Sequence, residues 1–200
     1  MIFPFFTIFL LFLAWFTYNR LRAEKLEKEQ EKRFWLKEEE ANSVRKKDLS
    51  LLPYITISPD ALPIGVFPTD ELLCSYETQV QTLASLKILN LTGFSNTDLK
   101  LNYGAPNLTF LTECDQNFTE LVRLMHQWGT RLYELSLINE AECVLSQAIV
   151  WGSDIKASYV LLAKIYQEKG ASHKIQQLSE QAQTLNSLMK QPILNALKEF

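Results

Sequence analysis

Met125-His126-Gln127-Trp128-Gly129-Thr130-Arg131-Leu132-Tyr133-Glu134-Leu135-Ser136 is followed, thirty-four residues on, by Tyr159-Val160-Leu161-Leu162-Ala163-Lys164-Ile165-Tyr166-Gln167-Glu168-Lys169-Gly170. Aligned without insertion, Met125 falls on Tyr159, Trp128 on Leu162, Gly129 on Ala163, Leu132 on Tyr166, Ser136 on Gly170 and Ala148 on Ala182. A large residue beside a small one recurs because paired helices approach closely only where a side chain is missing. A fixed interval of this size marks a helical repeat. From Asn117 onward the apolar spacing predicts four amphipathic helices.

The interval and the order of residue types resemble tetratricopeptide repeats over about residues 120–190. The first repeat carries the pattern in Trp128-Gly129, Leu132, Glu140-Ala141, Leu145 and Ala148. The second departs at Ile175 and Ser179 and lacks the closing proline. The fold class expected is therefore mainly α, with residues 117–200 as a tetratricopeptide-like domain ending in a capping helix at Pro192–Phe200. Two repeats bury too little apolar surface alone, so neighbouring helices are expected as caps. The resemblance implies that the first helix of each pair lines a concave groove. That face would carry Arg123, His126, Thr130, Tyr133, Val160, Lys164 and Gln167. Arg, His and Lys beside a tyrosine can hold a peptide through its backbone or a carboxylate.

Upstream the texture changes several times. Thr69 is expected to cap a helix over about 70–87, with Asp70 and Glu71 in its first turn and Leu72, Leu73, Tyr76, Val80, Leu83 and Leu86 at helical spacing. Residues 70–116 then read as this helix plus a loop-rich stretch, with turn chemistry at Gly93, Asn96 and Tyr103–Asn107. Residues 49–69 contain Pro53, Pro59, Pro63 and Pro68 and read as an extended linker that lays Tyr54, Ile55 and Ile57 on the domain. Residues 19–48 are a charged helical stalk with i,i+4 pairs Glu24–Lys28 and Glu29–Arg33 and no heptad seam.

Residues 2–18 hold no charge, and 1–18 are expected to form a single-pass transmembrane anchor in the cell membrane, without a cleavage site. The basic flank Arg20, Arg22 and Lys25 would keep the N-terminus outside and the soluble domain cytoplasmic. The whole chain, including Asn96–Gly104, also resembles a group of uncharacterised single-span bacterial membrane proteins. That resemblance implies no activity.

Charge and motif content narrow the function. Residues 49–200 carry ten basic and fifteen acidic groups, so no nucleic-acid partner is expected. Cys74, Cys114 and Cys143 form neither a disulfide framework nor a zinc pattern. No phosphate loop, nucleophile elbow or metalloprotease motif occurs, and no cofactor or metal is expected. His126 and His173 read as surface or groove residues, Trp128 and Trp151 as core, and Glu38-Glu39-Glu40 as a solvated face.

The function expected is a membrane-anchored interaction module that binds a protein or peptide in the groove. The alternative is a small structural subunit of a larger membrane complex. A hydrolase using Asp98 or Asp115 is a remote third reading.

Overall fold

The computed structural model describes the backbone of residues 3–200 and the side chains of residues 5–200. Described residues fold as helices joined by turns, and the chain divides into two compact units. One comprises the chain up to Lys47 together with Ser95–Asn107. The other comprises Asp48–Phe94 and Leu108–Phe200.

The first unit is built on α1, Phe3–Ser43, an unbroken helix of 41 residues. Its strong helix formers and the absence of Gly or Pro after the first turn sustain that length, and Lys28 pairs with Glu24 at 3.1 Å. Against its C-terminal part lies α3, Asn96–Tyr103, which begins with a capping box between Ser95 and Asp98. Lys37 Nζ reaches Asp98 at 2.8 Å, Lys100 pairs with Glu38, and Thr97 donates to Glu38 at 2.8 Å. Glu38 is thus a docking residue rather than part of a solvated face. The backbone closes tightly behind it: at Gly104, φ is 95° and a Cβ would stand 2.2 Å from the Arg45 carbonyl oxygen. Only glycine fits there.

The anchor expected at 1–18 is not found. Among the described residues no helix is long and apolar enough to cross a membrane. Asn19 and Arg20 end the apolar run of α1, leaving residues 3–18. At ~1.5 Å per residue this covers roughly 24 Å against a hydrocarbon layer of ~30 Å. Thr7, Trp15, Thr17 and Tyr18 dilute it further. Met1 and Ile2, the remainder of the expected anchor, lie outside the described residues. The transmembrane helix, the single-pass membrane assignment and the orientation with a cytoplasmic domain are corrected accordingly.

The second unit contains α2 (Glu71–Ala84), α4 (Leu108–Glu134), α5 (Ile138–Val150), α6 (Lys156–Glu168), α7 (Ser172–Gln183) and α8 (Lys190–Leu197). The cap of α2 is Asp70, not Thr69: its carboxylate accepts from Leu73 N at 2.9 Å, and the helix stops at Ala84 rather than 87. The helix expected from Asn117 starts at Leu108. Leu111, Cys114 and Phe118 extend the stripe of Leu121, Met125, Trp128 and Leu132 at steps of three and four, so one buried face runs through all 27 residues. Ahead of α2, the proline-rich stretch packs on this unit, but only 53–58 run without a turn; Pro59–Ala61 form a short 3-10 helix, so the stretch is not extended throughout as expected. Ile57 and Leu62 are buried, and Ile55 N donates to Ile88 O at 2.9 Å.

Successive helices pack in order, α4 on α5, α5 on α6 and α6 on α7, with α8 against both α6 and α7. Trp128, Leu132, Leu145, Tyr159 and Leu162 form the fully enclosed centre. Gly129 permits a close approach of α4 to α5: a Cβ there would stand 2.6 Å from Cδ2 of Leu145. Among the described residues the indole Nε1 of Trp128 finds no partner, a cost set against burial of the whole ring.

The ends of α4 and α6 share one hydrogen-bond pattern thirty-four residues apart. Leu137 N bonds Leu132 O at 2.9 Å as Ala171 N bonds Tyr166 O at 2.8 Å. Ser136 N bonds Tyr133 O at 2.9 Å as Gly170 N bonds Gln167 O at 3.0 Å. Both are Schellman caps. The entries to α6 and α8 correspond as well, since Ile155 N bonds Ser153 Oγ at 3.4 Å and Met189 N bonds Ser187 Oγ at 3.1 Å. α8 begins at Lys190, thirty-four residues after the start of α6 at Lys156.

Candidate functional site

α4 is flanked by α2 and α6, and the side chains on that face form the candidate site. A cavity of about 220 Å³ opens between α2 and α4. Leu72 and Tyr76 wall it from α2; His126, Gln127, Thr130, Arg131 and Glu134 line it from α4. Spacings of three and four place the α4 residues on one helix face, and the four-residue step from Leu72 to Tyr76 does the same on α2.

His126 joins the two flanks. Its ring lines the cavity, and its Nδ1 lies 3.0 Å from the buried hydroxyl of Ser158 at the start of α6. Burial lowers the imidazole pKa and favours the neutral ring. The neutral ring carries its proton on Nε2 when Ser158 donates to Nδ1, and on Nδ1 when the hydroxyl accepts. Thr130 is held by the same turn, its hydroxyl donating to His126 O at 2.8 Å.

The cations of this face are matched to carboxylates of the same unit. Arg131 donates from Nη2 to Asp70 Oδ2 at 2.6 Å and from Nη1 to Glu134 Oε2 at 3.1 Å. The Arg131 hydrogen bond, followed by the amide of Leu73, lowers the Asp70 pKa. Arg123 donates from Nε to Glu120 at 3.0 Å and from Nη1 to Gln127 at 3.1 Å. Lys164 Nζ stands 5.1 Å over the ring of Tyr133, whose hydroxyl donates to Glu168 at 2.8 Å.

Of the groove residues expected from the sequence, the structure brings His126 and Thr130 into the cavity. Tyr133 and Lys164 pair with each other across α4 and α6. Arg123 lies exposed on the same helix, Val160 is half-buried, and Gln167 is exposed, its carbonyl closing the α6 cap. The sequence reading missed Leu72, Tyr76, Gln127, Arg131 and Glu134 as cavity residues. The signal available was the helical spacing of Leu72 and Tyr76, read only as a core stripe. The carboxylates considered for hydrolysis are both engaged: Asp98 within the α3 capping box, and Asp115 accepting from Leu91 N at 3.0 Å.

A larger, open hollow of about 840 Å³ lies between the turn that joins α7 to α8 and the loop at Thr92 and Gly93. Its wall is turn backbone and the exposed Leu188, and the Ser187 hydroxyl closes onto Asp154.

The second unit is thus a set of helices packed in succession, with a cavity between α2 and α4. No family model, curated protein or solved structure matches the chain.

Proposed function

We propose that Asp48–Phe94 and Leu108–Phe200 form a module that binds a segment of another polypeptide along α4, between α2 and α6. The observation that carries this reading is the groove itself: a side-chain-sized cavity on a face bordered by two further helices, with apolar walls and a polar rim. The caps recurring at thirty-four residues support a tetratricopeptide-like array, and such arrays use the face of their first helices for peptides. Neutral His126, Gln127 and Thr130 offer hydrogen-bonding groups to a peptide backbone, while Leu72 and Tyr76 offer contact area to a side chain.

The test is site-specific photocrosslinking of the full chain in the cells that make it. A photoreactive residue at Gln127 or Thr130 is expected to give discrete adducts with another polypeptide. The same probe at Gln176, exposed on α7, is expected to give none. Adducts equal at all three positions, or absent from the groove positions, would overturn the reading.

A further inference from the structure

We infer that the occupant of this groove is a basic peptide segment, one of whose Arg or Lys side chains enters the cavity between Tyr76 and Glu134. This rests on the binding-module reading and names the partner's chemistry.

Two independent observations lead there. The first is charge. The unit that holds the groove carries fifteen Asp and Glu against nine Lys and Arg. At the cavity and beside it Arg131 has Asp70 and Glu134, Arg123 has Glu120, and Lys164 has Glu168 at 4.0 Å, while Lys156 lies two turns away at the start of α6. Among the described residues lining the cavity the one Lys or Arg is Arg131, already held by two carboxylates, and an acidic segment would meet a unit of its own sign. Glu134, more than half exposed, engages Arg131 through Oε2 only, so Oε1 can accept from a further cation.

The second observation is the way this unit seats its lysines. Lys87 lies 4.8 Å from the Tyr54 ring centre, and Lys164 and Lys174 lie 5.1 Å from those of Tyr133 and Tyr166. Tyr76 walls the cavity and interacts electrostatically with Arg123, but among the described residues no cation stands over its ring. A ring face beside an acceptor carboxylate suits a guanidinium or ammonium group, the ring taking the flat or methylene part and Glu134 the charge. About 220 Å³ is room for one such side chain.

The experiment uses full-length protein as bait for a phage-displayed library of random twelve-residue peptides. Fluorescence anisotropy of labelled selected peptides follows, with far-ultraviolet circular dichroism confirming that each variant folds. The expected peptides are enriched in Arg or Lys and poor in Asp and Glu. Their binding should weaken at least tenfold on Glu134→Gln or Tyr76→Ala and fall steeply with added salt. Glu134→Lys, at an exposed position, should reject them and leave the fold intact. Thr130→Trp, which fills the cavity, should also abolish binding. Acidic or neutral peptides that bind and are lost on Thr130→Trp would overturn the basic preference but keep the groove. Failure to select any peptide, or binding indifferent to Thr130→Trp and Tyr76→Ala alike, would overturn both.

Discussion

Ser136 and Gly170, thirty-four residues apart, adopt the same left-handed backbone, with φ of 62° and 66°. Among the described residues Ser136 is the only non-glycine with positive φ. A side chain in this region costs roughly 1–2 kcal/mol, part of which glycine returns through greater freedom in the unfolded chain. Ser136→Gly is therefore expected to stabilise the protein by about 0.5–1 kcal/mol, and Gly170→Ser to destabilise it by about 1 kcal/mol. Urea unfolding at equal slope measures both. A lower midpoint for Ser136→Gly would show that its hydroxyl contributes more than the turn geometry implies.

The contact between Gly129 and Leu145 sets how closely α4 and α5 pack. A methyl group at 129 would overlap both Cγ and Cδ2 of Leu145, each 2.6 Å from the built Cβ. Leu145 is fully enclosed and has nowhere to retreat. Gly129→Ala is thus expected to cost about 1–3 kcal/mol despite the better helix propensity of alanine. Pairing it with Leu145→Ala should lose less than the sum of the two single changes, because alanine lacks both atoms that the added methyl would meet. Additive losses in a double-mutant cycle would place the strain elsewhere.

How much of this was legible in the sequence depends on the range of the interaction. The two caps were visible because Ser136 and Gly170 are turn residues at a fixed offset, and Trp128-Gly129 is a large–small pair on one helix face. The first turns of α4 were hidden: Thr109 and Thr112 look like loop residues, and Pro106 precedes them. Only the buried stripe of Leu111, Cys114 and Phe118, completed by partners far along the chain, makes that stretch helical. The docking of α3 on α1 was illegible for a different reason. Lys37, Glu38 and Lys100 are what any solvated helix displays, and their pairing spans about sixty positions. On the α4 side of the cavity helical spacing pointed to His126 and Thr130 but not to Gln127, Arg131 or Glu134. Its α2 wall was not legible, because Leu72 and Tyr76 carry no mark separating a groove from a core.

The His126–Ser158 pair makes the second unit sensitive to mild acid. Burial lowers the folded-state pKa of His126 below its unfolded value of 6.5. Between the two values the unfolded chain binds more protons, so stability rises with pH there. It is fully present above 6.5 and declines as pH falls toward the folded pKa. Protonation would also make Nδ1 a donor, so that the Ser158 hydroxyl would have to accept from it. Stability by urea titration is expected to drop between pH 7 and pH 5.5, with His126→Gln flattening that slope. An unchanged slope in the variant would assign the acid response to other groups.

Asp98 supplies a second pH response, at lower pH and confined to the first unit. A hydrogen bond from Lys37, then those from Ser95, hold its carboxyl at about 2, below the ordinary 3.8. Here the folded state keeps its charge while the unfolded chain takes up a proton, so the contribution is complete above 3.8 and disappears as pH falls toward about 2. Hydrogen exchange of the α3 amides, read by mass spectrometry, is expected to quicken through that window. Asp98→Asn should remove the pH step and leave α3 less protected at neutral pH, because the amide keeps one capping contact but loses the pairing with Lys37. Ser95→Ala removes the other half of the box and should cost about 1 kcal/mol, as loss of an N-cap does. Protection of α3 unchanged in both variants would mean that Leu99, buried on the same face, holds the helix without its polar contacts.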